Sequence, residues 1–263
     1  MARIFVLSCC LVFSLVGNAF ARSADGNCSD DLFSIAGQYL KLKNFKDKKS
    51  GGVVVSAVCR PWPHNTRLTL SAFAYDNGIE HEKTLLVAVI DNGTKRVVSS
   101  ARSVIGEDAV TEVGESSLRL DTARYQLSKE VTAFGLRFQS LAPGASCGET
   151  NWGDELTLFV PEGKELRAVL NLSMYRQRSI EGCLSASLPR AVWEDAFLTI
   201  GIEKTSTNSY ADLSVTARVV GSGNDYSADD LVKKTKNRTE RQILRYDGKY
   251  YQTDMKRPWW LEP

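Results

Sequence analysis

Between Asp195 and Val220, apolar and polar residues take turns along the chain. Leu198, Ile200 and Ile202 alternate with Thr199, Gly201 and Glu203. After the polar run Lys204 to Ser209, Leu213, Val215, Ala217 and Val219 alternate with Ser214, Thr216 and Arg218. A period of two puts every second side chain on one face of an extended backbone, so each run predicts a half-buried strand. Together they predict a long antiparallel hairpin with one apolar face.

Comparable runs recur upstream. Leu68, Leu70, Ala72 and Ala74 lead to the turn signal Asp76-Asn77-Gly78. Thr84 to Ile90 is apolar on both faces and ends at Asp91-Asn92-Gly93. Asn-Gly between apolar runs is a strong hairpin signal, because a tight turn needs residues that tolerate positive φ. Phe134, Leu136 and Phe138 are followed by Leu156, Leu158 and Val160, a turn at Pro161-Glu162-Gly163, and LRAVLNLSM. Ile243 to Tyr246, Asp247-Gly248 and Lys249 to Tyr251 make a last hairpin. We therefore expect one all-β domain over residues 22–263, built of repeated antiparallel meanders at about 67–127, 131–176 and 197–253. Such units assemble as a small propeller-like ring or as a two-sheet β-sandwich.

Four stretches depart from this pattern. Leu32 to Phe45 mixes strand character with lysine, and the lysine-rich KLKNFKDKK reads as a solvated strand end or loop. RPWPHN carries two prolines around Trp62 and reads as a connection, since proline cannot donate to a ladder. RQRSIEGCLSASLPRAVWED shows no clear period and reads as a long surface connection. Ser227 to Gln242 could start a helix, with Ser227 as its cap and Asp230 three residues on. The terminal pair Trp259-Trp260, beside Pro258, is expected to pack back on the fold.

The first 21 residues form a separate element. Arg3 supplies a positive end, Ile4 to Val16 an apolar run, and Ala19-Phe20-Ala21 a small-x-small cleavage site. This reads as an export signal cut after Ala21; its apolar run is too short to span a bilayer, and no transmembrane segment is expected in the mature chain. The remaining 242 residues carry a formal charge of +1, because Arg3 leaves from a total of +2. That offers no field to attract nucleic acid. Of six cysteines, Cys9 and Cys10 leave with the signal. Cys28, Cys59, Cys147 and Cys183 permit three pairings, of which neighbours in sequence, Cys28–Cys59 and Cys147–Cys183, are favoured because each pins a loop-rich segment to the next strand. The product is periplasmic or secreted, of bacterial type. In a eukaryote the Asn-x-Ser/Thr sites at Asn27, Asn92, Asn171 and Asn237 would be glycan acceptors.

Chemistry is sparse. There are two histidines, His64 and His81, and no Gly-x-Ser-x-Gly. No two of the four cysteines are spaced as zinc ligands, no calcium loop has its acids in register, and no phosphate or dinucleotide fingerprint is present. No metal or cofactor is expected. Acids, an aromatic and flexible glycines converge in SCGETNWGDE, where Glu149, Asp154 and Glu155 flank Trp152. Aromatic rings stack on the apolar faces of sugars, so Trp152, Glu149, Asp154 and Glu155 are the candidate binding residues. The leading expectation is a non-catalytic binding or interaction protein with a glycan or envelope protein as partner. The alternatives are a carboxylate-dependent polysaccharide hydrolase, whose two acids must face each other, and a structural component of an envelope assembly.

Overall fold

The computed structural model describes residues 27–143, 150–182, 191–224, 235–252 and 257–261, the side chains of 150–152 and 224 excepted. The chain opens with helix α1 (Asp30–Leu40), and a 3₁₀ turn, Lys48–Ser50, follows. The strands are β1 (Val54–Trp62), β2 (Asn65–Asp76), β3 (Glu82–Asp91), β4 (Arg96–Gly106), β5 (Leu118–Gln126), β6 (Thr132–Phe138), β7 (Thr150–Glu162) and β8 (Glu165–Glu181). They continue with β9 (Ala191–Thr207), β10 (Tyr210–Asn224), β11 (Arg238–Tyr246) and β12 (Tyr251–Gln252), before a closing 3₁₀ turn, Trp259–Leu261. The protein is all-β in character. Each strand pairs antiparallel with its chain neighbour except across the β4–β5 break, and one parallel bridge, Ser100 to Glu165, joins β4 to β8.

Side-chain alternation stacks these meanders in layers. In β3, Leu85, Val87 and Val89 face β5, β6 and β7 through Leu118, Leu120, Phe134, Leu136 and Phe159. Their neighbours Leu86 and Ala88 face the other way, against Phe33 and Ala36 of α1 and against Phe45, Phe73 and Tyr75. That is why this strand is apolar on both faces. The β5–β8 layer is also covered twice. Phe134 and Phe159 look toward β1–β4, whereas Ala133, Leu156, Leu158 and Val160 look toward β9–β11, meeting Leu198, Leu213, Val215, Ala217 and Val219. The meanders thus pack face to face, as sandwich sheets do, along a sheet path whose end strands β1 and β12 are not paired to each other. The β9–β10 hairpin turns at Asn208 and Ser209, both at positive φ (48° and 71°). This is the backbone that a two-residue hairpin turn demands.

Cys28 and Cys59 form the expected disulfide and tie the entry of α1 to β1. Cys147 and Cys183 lie outside the described residues, as do 1–26 and so the whole stretch read as an export signal. Among the described residues, no helix is long and apolar enough to cross a membrane.

Four local expectations are corrected, the last of them in part. Within Leu32–Phe45, the first part is helix: Phe33, Ala36 and Gly37 recur at three and four residues and are buried as one face, a period that lysines further on obscure. RPWPHN does not interrupt the ladder at Pro61, which pairs with Thr69. Strand β1 ends the sheet path, so its missing N–H is tolerated. RQRSIEGCLSASLPRAVWED is not a long connection, because β8 runs on to Glu181 and β9 begins at Ala191. Its period is hidden by charged pairs buried on the inner face. Of the suggested helix at 227–242, residues 227–234 lie outside the description and Arg238 to Gln242 are strand. The terminal pair does pack back: Trp260 is fully buried, and its indole N–H donates to Glu240 Oε2 at 2.7 Å.

Candidate functional site

Of the four sequence candidates, the structure describes the side chains of Asp154 and Glu155. Glu149 and the Trp152 side chain lie outside the described residues; the Trp152 backbone pairs with Arg176 in β8. Asp154 gives both carboxylate oxygens to arginines, Oδ1 to Arg119 at 3.0 Å and Oδ2 to Arg137. Arg137 also bonds Asp121 at 3.0 Å, which accepts in turn from the Tyr125 hydroxyl at 3.2 Å. Glu155 accepts from Ser173 Oγ at 3.3 Å. Asp154 therefore belongs to a bracing network between β5, β6 and β7. The cleft beside it, about 380 Å³, is lined by Arg119, Arg137, Ser117 and Gln139.

A different constellation stands on the open face of the long strands. The register sets Gly153, Tyr175, Phe197, Arg218 and Thr239 side by side across β7, β8, β9, β10 and β11. Five strands at the usual spacing make a row about 19 Å wide. The next row holds Gln177, Asp195 and Val220, and the one beyond it Ser179, Trp193 and Ser222. Alternation explains why they share a face: the inward positions are Met174, Arg176 and Arg178 in β8, and Glu194, Ala196 and Leu198 in β9. Lower on the same β7 face, Phe159 is buried against the first layer. The upper strands therefore overhang that layer, and their outer side chains reach solvent.

Phe197 is 42% exposed although it stands in the middle of this sheet. Its ring lies 5.4 Å from that of Tyr175, and the Arg218 guanidinium sits 4.8 Å from its centroid on the other side. Leaving that share of an apolar ring in water forgoes about 1 kcal/mol of burial. Asp195 organises the aromatics around it. Its Oδ1 accepts from the Tyr175 hydroxyl at 2.7 Å and from Gln177 Nε2 at 2.9 Å. Its Oδ2 accepts from the Trp193 indole at 3.1 Å and Ser222 Oγ at 3.0 Å. Four donors on one carboxylate fix two rings, an amide and a hydroxyl in place. Burial, and then the bond to Asp195, push the Tyr175 hydroxyl well above its ordinary pKa, so it remains a proton donor.

The inner side of the same strand ends carries the counterweight. Glu194, 4% exposed, accepts from Arg178 at 2.7 Å and from Arg238 at 2.5 Å. Arg178 also stacks on Trp259, and Arg238 reaches Glu240. This ionic core holds β8, β9 and β11 together beneath the platform. Strand β7 begins, β8 ends, β9 begins and β10 ends on this side.

Of the platform, only Gln177, Ser179, Trp193 and Asp195 sit in the stretch that showed no period; Tyr175, Phe197 and Arg218 lie outside it, and the register that sets them side by side is not written in any one run. The available signal was Trp193-x-Asp195-x-Phe197, an every-second-residue aromatic and acid pattern. His81 lies exposed in the β2–β3 connection, and among the described residues no three His, Cys, Asp or Glu gather as metal ligands would. Comparisons with family models, with curated proteins and with solved structures found no match for this chain.

Proposed function

We propose that the chain is an exported, non-catalytic binding protein of the periplasm or cell exterior that holds a glycan on the open face of β7–β11. The single observation that carries this reading is the row Tyr175–Phe197–Arg218, an exposed aromatic surface locked from beside by Asp195. A pyranose presents an apolar C–H face to a flat ring and hydroxyls at its edge. Rings that are already fixed lose little freedom when a ligand settles on them. The edge hydroxyls would meet Arg218 and Thr239. Export rests on the Arg3, Ile4 to Val16 and Ala19-Phe20-Ala21 pattern, and the Cys28–Cys59 bridge suits an oxidising compartment.

The test is retention of the purified mature chain on a panel of soluble polysaccharides in native affinity gels, beside Phe197→Ala. Wild type slowed by at least one polysaccharide, with the variant running free, is the expected result. Retention of neither chain by any glycan, with both captured by an envelope protein extract, would replace the glycan with a protein partner.

A further inference from the structure

A large cavity lies far along the sheet from the platform, on the side of α1. It is a groove of about 690 Å³ lined by Tyr39 of α1, by Thr94, Arg96, Val97 and Val98 at the start of β4, and by Lys164 in the β7–β8 turn. That size falls within the range of small-molecule sites, about 300–1,000 Å³. The groove is built rather than incidental. Tyr39 is pinned across β4 by a 2.7 Å hydrogen bond between its hydroxyl and Ser100 Oγ. The β7–β8 turn is docked on the same strand, Ser100 N–H donating to the Lys164 carbonyl at 3.0 Å and Ser99 Oγ to the Gly163 carbonyl at 2.8 Å.

Its chemistry is two-sided. Tyr39 and Val98 are 48% and 38% exposed, and Val97 completes the floor. On the rim, Arg96 and Lys164 have no ionic partner among the described residues, whereas their neighbour Lys95 is paired with Asp31 at 3.5 Å. A neutral apolar ligand would leave both cations unused, and a small anion would leave the apolar floor wet. A cationic amphiphile would be repelled.

We propose that this groove binds a single-chain amphiphilic anion, a long-chain carboxylate, with its hydrocarbon along Tyr39, Val97 and Val98 and its head group between Arg96 and Lys164. The site is separate from the glycan platform and does not depend on it.

The probe is dodecanoate below its micelle concentration, titrated by calorimetry into the mature chain, with butyrate and dodecyltrimethylammonium as comparators. One dodecanoate per chain is expected, with butyrate and the cationic amphiphile at least tenfold weaker. The Arg96→Gln/Lys164→Gln double variant should weaken dodecanoate at least tenfold, and Val98→Asp, also on the surface, should abolish it. Phe197→Ala should leave it unchanged. Equal binding of the cationic amphiphile, undiminished binding by the double variant, or no heat from dodecanoate would each overturn the assignment.

Discussion

Ala133 and Phe134 are adjacent in β6 and almost wholly buried, yet they belong to different cores: Ala133 packs toward β9–β11 and Phe134 toward β1–β4. The β5–β8 layer is therefore the shared wall of two apolar compartments, and damage on either face should be felt by the whole fold. Phe134 stacks on Phe159 and meets Trp62 edge-on. Phe134→Ala should cost about 3–5 kcal/mol. That corresponds to a melting point lower by about 6–20 °C for a chain of this size, read by differential scanning calorimetry. Two separate transitions in the variant, with one unmoved, would mean that the compartments melt independently.

Gly221 in β10 has no room for a side chain. A Cβ there would lie 1.7 Å from Thr235 Oγ1 and 2.3 Å from Thr235 Cβ, whereas one on Gly153 would meet nothing within 4 Å. Gly221→Ala should destabilise by about 1–3 kcal/mol through overpacking, and Gly153→Ala should match wild type in thermal melts.

Acid should loosen the strand ends under the platform. Burial alone would push the Glu194 carboxyl up, but hydrogen bonds and charge from Arg238 and Arg178 outweigh it and hold the carboxyl below its ordinary value. Glu240 is shifted the same way, its burial outweighed by the Trp260 and Arg238 hydrogen bonds. A carboxyl with a lower pKa when folded stabilises above the unfolded value and loses that contribution as pH falls through the folded one. The melting temperature should thus drop progressively below about pH 4.3. Glu194→Gln should be less stable at pH 7 and show a shallower fall between pH 6 and pH 3.

The Cys28–Cys59 link closes a separation of 31 residues, so its reduction should remove about 3–4 kcal/mol in the chain-entropy model. The second expected pairing joins Cys147 to Cys183, neighbours in sequence in a chain read as exported. Peptide mapping without reductant should therefore find these two joined. Recovery of two free thiols at those positions would contradict the expectation.

How much of this could be read from residues alone follows from where polar groups are buried. Leu68 to Ala74, Leu156 to Val160 and Leu213 to Val219 alternate cleanly because one face meets core and the other meets water or a neighbouring layer. The pattern failed between Arg176 and Asp195, where the inner face holds Arg178 and Glu194 and the outer face holds Trp193. With charge inside and an aromatic outside, binary patterning inverts there, whereas Phe197 and Arg218 sit in the hairpin that alternates cleanly and their meeting with Tyr175 needs the β8–β9–β10 register. Asp154, read from the sequence as a binding residue, has its charge committed to Arg119 and Arg137, a pairing that needs β5, β6 and β7 to be brought together. Helix α1 was hidden because its apolar face, Phe33, Ala36 and Gly37, is short and runs into a lysine-rich turn.

The most direct test of the platform is to follow the indole N–H of Trp193 and the ring of Phe197 by NMR while a retained saccharide is titrated in. The account predicts shifts that saturate together at Trp193, Tyr175 and Phe197 and vanish in Phe197→Ala. Shifts confined to the cleft around Arg119 and Arg137, with the platform resonances unmoved, would contradict it.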